Sequence, residues 1–289
     1  MDKQNETATV SDCSGFSYFK RLFDLTEPAV MGVLNVTPDS FSDGGRHLAI
    51  DSAVGRGLEM AEQGAIFIDV GGESTRPGAA PVATDEELAR VIPVIEALKR
   101  QTTALISIDT SSAKVMEEAY SSGADLINDV RALRQHEALE VCAKLPIPVC
   151  LMHMQGEPGS MQDNPSYENV TNQVLYYLKE RIKVCERAGI NKNRLIIDPG
   201  FGFGKSLAHN LSLLKNLREF KQIGVPLLVG MSRKRMIGEV LEKPVEQRMV
   251  GSVAVAVIAA MNGASIIRVH DVAETVEAIK MTQAVIEAK

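Results

Sequence analysis

Asp109, Asn128 and Asp198 are carboxylates and an amide, each at the end of a short apolar run. Such groups suit a heterocycle with several N–H donors and one carbonyl, and hydrogen bonds to charged groups contribute about 1.5–3 kcal/mol each. Lys234, Arg268 and His270 stand in the same relation to later runs and are cationic, or become so on protonation, which suits phosphate. Together they point to a polar heterocycle bearing a phosphate or pyrophosphate. The earliest run has the densest loop after it. Residues 31–45 read MGVLNVTPDSFSDGG, in which apolar residues give way to Asn35, Asp39 and Asp43. These are ligands for a hard metal ion or hydrogen-bond partners for a substrate.

The apolar runs are the elements that must hold these groups. Eight occur, at residues 30–36, 65–70, 104–108, 125–128, 147–152, 194–197, 225–229 and 265–269. They are rich in Val and Ile without strict alternation, as expected of parallel strands buried on both faces. Helical patterns lie between them. Thr84, Asp85, Glu86 and Glu87 read as a capping box, and Leu88, Val91, Ile92, Ile95 and Leu98 follow at helical spacing. Further helices are predicted over 167–188, over 206–217 and from Val272 onward. Gly64, Gly123 and Gly263 each precede a strand, where glycine ends a helix. Eight such units predict an α/β protein, a (β/α)8 TIM barrel, whose site lies at the carboxyl ends of its strands. A doubly wound sheet would usually show fewer strands and a glycine-rich phosphate turn after the first. Residues 1–15 are polar and read as a mobile tail. Residues 16–289 read as one domain, in which 16–29 cover the bottom of the barrel. The uncharged stretch between Arg248 and Arg268 is broken by Asn262 and Gly263, so it reads as a buried helix, a turn and a strand rather than a membrane span.

A net charge of −6, 4% aromatic residues and no Trp argue against nucleic-acid binding. Cys13, Cys142, Cys150 and Cys185 show no CxxC spacing, and the N-terminus has no apolar signal-peptide core. Both features fit a reducing compartment, the cytoplasm. GFGFGKS, residues 200–206, imitates a phosphate loop. The P-loop pattern needs a glycine where Pro199 stands, and the dinucleotide pattern fails by one residue. The segment reads as a flexible loop whose glycines admit a flat ligand. His153 has no second His or Cys near it and reads as a packing or hydrogen-bonding residue, while His47, His136 and His209 read as solvated.

The strand ends resemble those of the bacterial dihydropteroate synthases. MGVLNVTPDSFSDGG, DVGGESTRPGA, SIDT, INDV, MHMQGEP, DPGFGFGKS, GMSRKRMIG and RVHDV occur in that order, from about Val30 to His270. The resemblance implies condensation of 6-hydroxymethyl-7,8-dihydropterin pyrophosphate with p-aminobenzoate. It implies that Asp109, Asn128, Asp198 and Lys234 bind the pterin, and that Asn35, Arg268 and His270 bind the pyrophosphate, with Asn35 also a ligand of Mg2+. Phe41, Thr75, Pro77, Phe203 and Ser232 would contact p-aminobenzoate beneath closing loops. Asp43, Asp109, Lys234, Arg268 and His270 would take part in catalysis. The resemblance also implies a homodimer. A pterin-binding methyltransferase barrel and an inactive pterin-binding paralogue are the competing readings. The first needs no pyrophosphate site and the second no turnover.

Overall fold

The computed structural model describes residues 28–36, 45–73, 82–156, 161 and 165–288. Its strands are β1 (Ala29–Asn35), β2 (Phe67–Gly71), β3 (Leu105–Asp109), β4 (Leu126–Asp129), β5 (Val149–Met152), β6 (Leu195–Asp198), β7 (Leu228–Val229) and β8 (Ile266–Val269). All pair in parallel, in the order β6-β5-β4-β3-β2-β1-β8-β7. A parallel bridge between Ile197 and Leu227 joins the two edges, so the ring closes into the expected (β/α)8 barrel.

The helices are α1 (Gly45–Glu62), α2 (Thr84–Gln101), α3 (Ala113–Ser121), α4 (Ala138–Lys144), α5 (Val170–Arg187), α6 (Leu207–Lys215), α7 (Arg235–Leu241), α8 (Met249–Met261) and α9 (Val272–Glu287). Both α7 and α8 lie between β7 and β8, one helix more than the repeat requires.

Side chains alternate across each strand, and the two faces meet different surroundings. Ile68 and Val70 enter the large apolar core between strands and helices. Phe67 turns inward and packs with Met31, Leu126, Cys150, Ile196, Leu228 and Ile266 as an apolar plug. Burying a side chain of this size contributes about 1.5–3 kcal/mol. Two residues further along the same inward rows stand Asp69, Asn128, Asp198 and Arg268. Asn35, Gly71, Asp109 and His270 stand two beyond Val33, Asp69, Ser107 and Arg268. The barrel is therefore oily below and charged above, and strand alternation alone produces that division.

Several local expectations change. The N-cap of α2 is Ala83, with no side-chain cap, and Thr84 already lies in the helix. A capping box does occur at α6, where Ser206 and His209 bond reciprocally, so His209 is a capping residue rather than a solvated one. Helix α8 is not buried all round. Ser252, Ala256 and Ala259 face inward, while Val250, Ile258 and Met261 are exposed at 68%, 44% and 54%. An apolar sequence does not show which side meets the barrel. The tail assigned to 1–15 lies outside the described residues, as does the bottom cover up to residue 27. No helix among the described residues is long and apolar enough to cross a membrane.

Candidate active site at the carboxyl ends of the strands

Register builds the first half of the site. Asn35 pairs with Gly71, Gly71 with Asp109, and Asp109 with Asn128, so three polar side chains and one gap stand side by side. A Cβ added to Gly71 would lie 3.8 Å from Asn35 Oδ1 and 3.9 Å from Asp109 Oδ2. The glycine thus leaves an opening onto which both oxygens look. Asp198 ends β6 on the far side, and its Oδ1 accepts the Gly200 N–H at 2.7 Å.

Arg268 crosses this set from β8. Its Nε donates to Asp69 Oδ2 at 2.5 Å, and its Nη2 donates to Asp109 Oδ2 at 2.7 Å. Asn128 Nδ2 donates to the same Asp69 oxygen at 3.1 Å. A carboxylate only accepts, so this bond fixes the amide and leaves Asn128 Oδ1 as its free acceptor. Burial alone would lower the Arg268 pKa, but Asp69 and Asp109 outweigh it and hold the guanidinium above its ordinary range. Burial pushes the Asp109 carboxyl up to about 7, opposed by Arg268 and reinforced by Asp69. Asp198 is also raised by burial, against the pull of Lys234.

Lys234 enters from the β7 side. Its Nζ donates to the Phe201 carbonyl at 2.6 Å and lies 4.5 Å from the centre of the Phe203 ring. Burial lowers its pKa to about 8, with Asp198 opposing. Gly230 is the second gap, since a Cβ there would lie 3.8 Å from Arg268 Cδ and 3.9 Å from Lys234 Nζ. Ser232 is buried and engaged with its neighbour. Its Oγ accepts the His270 backbone N–H at 3.1 Å and lies 3.0 Å from His270 Nδ1. Arg233 forms a two-pronged ion pair with Asp271, which ties the β7 and β8 loops together a second time.

The structure thus brings Asn35, Asp109, Asn128, Asp198, Ser232, Lys234, Arg268 and His270 to one mouth, with Phe203 against Lys234. Phe41, Asp43, Thr75 and Pro77 lie outside the described residues. Two buried residues join the predicted set. Asp69 is the shared anchor of Arg268 and Asn128, and the signal for it was a carboxylate between Ile68 and Val70 in an otherwise apolar strand. Lys205 is the other, and it corrects the reading of residues 200–206 as a flexible loop. Its Nζ donates to the carbonyls of Gly200 at 2.8 Å and Phe203 at 2.9 Å, and lies 3.0 Å from His153 Nδ1. Gly200 has φ +69°, and a Cβ there would come within 1.9 Å of the His153 carbonyl oxygen. Gly200 and Gly204 therefore serve a tight turn packed on protein backbone. His153 is a hydrogen-bonding residue as expected, kept neutral because burial drives its pKa down to about 2. Asp129, beside Asn128, turns away to accept the backbone N–H groups of Arg131 and Leu133 at 2.8 and 2.6 Å.

A barrel with acceptors on one side of its mouth and cations on the other defines an enzyme for a nitrogen heterocycle carrying an anionic group. Comparisons with known proteins make that class specific. Residues 31–270 match the family model described as pterin binding enzyme. Dihydropteroate synthase of Haemophilus influenzae is 55% identical over 268 residues, covering 93% of this chain and 98% of that relative. The same enzyme of Escherichia coli K12 is 56% identical over 266 residues, covering 92% and 94%. Among solved structures, the Yersinia pestis dihydropteroate synthase with a sulfonamide drug superposes with a TM-score of 0.87 at 55% identity, covering 91% of this chain and 95% of that one. The Xanthomonas albilineans dihydropteroate synthase in complex with 7,8-dihydropteroate gives 0.82 at 47% identity, covering 91% and 95%. The chain belongs to the pterin-binding enzymes and, within them, to the dihydropteroate synthases, which are transferases.

Proposed function

We propose that this mouth joins 6-hydroxymethyl-7,8-dihydropterin pyrophosphate to p-aminobenzoate, giving 7,8-dihydropteroate and pyrophosphate. The observation that carries the residue roles is Arg268 Nη2 lying 2.7 Å from Asp109 Oδ2, where the cationic and acceptor halves meet. Asp109, Asp198 and Asn128 Oδ1 accept from the ring N–H groups, and Lys234 donates to the ring. Arg268, His270 and Asn35 hold the pyrophosphate. Phe203, Ser232, Phe41, Thr75 and Pro77 contact p-aminobenzoate, and Asp43 takes part in catalysis.

Asn35 would hold Mg2+. Its amide oxygen faces Asp109 across the Gly71 gap, and hard oxygen donors completed by substrate phosphates are what this ion takes. When bound, the ion neutralises charge on the departing phosphate oxygens.

The chemistry then follows from the side chains. The bond between the ring methylene and the pyrophosphate oxygen breaks, and its electron pair leaves with pyrophosphate. Arg268 and His270 stabilise the charge that develops there. The methylene cation is delocalised over the dihydropterin, against the carboxylates of Asp109 and Asp198. The arylamine lone pair forms the new C–N bond, and the resulting anilinium is acidic enough to lose its proton to the departed pyrophosphate or, once the loops reopen, to water, so no strong base is required. Loop closure excludes the water that would otherwise trap the cation.

The test mixes the protein, both substrates and Mg2+, and follows pyrophosphate and dihydropteroate together. Equal release of both is expected. Tight pterin binding without release would instead leave an inactive binding protein. Isotope scrambling in the pyrophosphate bridge without p-aminobenzoate is expected for the stepwise route, and its complete absence would remove that route.

We also propose that the chain works as a homodimer in the cytoplasm. Val250, Ile258 and Met261 on α8 and Val240 on α7 are exposed apolar residues on successive helices, and the described cysteines are buried free thiols. Sedimentation at twice the chain mass of 31.3 kDa is expected, and a monomer at micromolar concentration would refute the dimer.

A further inference from the structure

Asp69 lies at the centre of the site, beneath its mouth. It is 0% exposed, and one of its oxygens carries both the Arg268 Nε and Asn128 Nδ2 bonds. Its other oxygen, Oδ1, has no hydrogen-bond partner among the described residues. Asp109 stands two residues nearer the mouth, and its side chain keeps 11% exposure. Arg268 therefore holds two unlike carboxylates, a deep one and one at the ligand's level.

This arrangement poses a conflict that rests on the function proposed above. The heterocycle needs Asp109 as an acceptor, and Arg268 Nη2 already engages its Oδ2, the oxygen that looks into the Gly71 opening. For that oxygen to turn to the ring, Arg268 must give up the bond and still remain at the mouth for the pyrophosphate. We propose that Asp69 is a positioning residue that makes the exchange possible: Arg268 keeps its Nε bond to Asp69 Oδ2 while Nη2 moves from Asp109 to Asp69 Oδ1. The result is a two-pronged guanidinium–carboxylate pair, the strongest form of this contact. No buried donor is left unsatisfied at either end of the movement, which keeps the exchange inexpensive. Arrival of the ring and presentation of the guanidinium thus become one event.

Asp69→Asn isolates the exchange. The amide oxygen still accepts from Arg268 Nε and Asn128 Nδ2, but the NH2 now at the other position cannot accept Nη2. For the dihydropterin pyrophosphate, kcat/KM is expected to fall about 100-fold, the scale for spoiling a buried charge pair. The same substitution in an Arg268→Met background is expected to cost less than about threefold, because coupled residues are not additive. An equal cost in both backgrounds overturns the proposal, as does a lowered melting temperature with kcat/KM intact. If D69N does not fold alone, D69N/R268M is compared with R268M. A further loss beyond about threefold overturns the proposal, and parity supports it. Near-normal activity of R268M would instead sink the pyrophosphate role assigned to Arg268, a separate failure.

Discussion

Lys205 and Lys234 flank the same glycine-rich turn, and burial lowers both pKa values, to about 7 and about 8. Their partners differ. Lys205 Nζ meets the carbonyls of Gly200, Phe203 and His153 and the Nδ1 of His153. Those four acceptors more than match the three donors of an ammonium, and nothing is left to offer a ligand. Lys234 Nζ has one carbonyl, Phe201, and the face of one aromatic ring. A ring face satisfies charge without consuming a directed donor. Lys205 shapes the loop, and Lys234 uses the loop as a platform. Burial and a shifted pKa look alike at the two sites, so only a count of donors against acceptors separates the structural cation from the ligand-binding one.

Substituting methionine at each lysine should separate them sharply. Lys234→Met is expected to lower kcat/KM for the pterin substrate about 1000-fold, at the upper range for truncating a buried charged partner. Its melting temperature should fall less than that of the Lys205 variant, since only the Phe201 carbonyl is stranded and the half-buried position admits water to it. Lys205→Met should behave otherwise. It strands the Gly200 and Phe203 carbonyls, at about 1–3 kcal/mol for each unsatisfied group. At about 2–4 °C per kcal/mol for a chain of this size, the melting temperature should fall by several degrees. Activity should fall about 10- to 100-fold with it, because the carbonyl that seats Lys234 belongs to this turn. Thermal melts and steady-state kinetics on both variants would dissolve the distinction if the two profiles coincided.

The contrast also marks what was legible in the chain. Strand alternation makes Asn128, Asp198 and Arg268 readable, since each follows an inward apolar residue by two positions. Asp69 follows Phe67 by the same rule, but its role depended on Arg268, 199 residues away. No local pattern announces that pairing. GFGFGKS could be rejected as a phosphate loop from spacing. Its actual shape required knowing that His153 directly follows the neighbouring strand and presents its carbonyl to Gly200. Likewise, Ser232 was expected at the p-aminobenzoate site, and in the structure its hydroxyl is committed to His270. Short-range periodicity fixes which rows point inward, whereas hydrogen-bond partners across the barrel are settled only when distant strands close.

Asp109 extends the comparison to a buried acid and carries the smallest expected effect. Burial raises its carboxyl to about 7, with Arg268 opposing and Asp69, Asp129 and Glu87 reinforcing. The ionised form is the one that accepts ring N–H groups. The value of kcat/KM for the pterin substrate should therefore fall as pH drops through about 7, approaching tenfold per unit below it. Stability at this group runs the other way. A folded pKa above the unfolded 3.8 means that the native state binds the proton more readily. The stabilisation is complete below that unfolded value and is lost as pH rises to about 7. Mild acid should thus weaken catalysis while this carboxyl, taken alone, stabilises the fold. Asp109→Asn should be slow at every pH and should lack the acid limb. A wild-type acid limb that appeared only alongside unfolding, or that persisted in Asp109→Asn, would assign the titration to another group and remove the carboxylate from the ring-binding set.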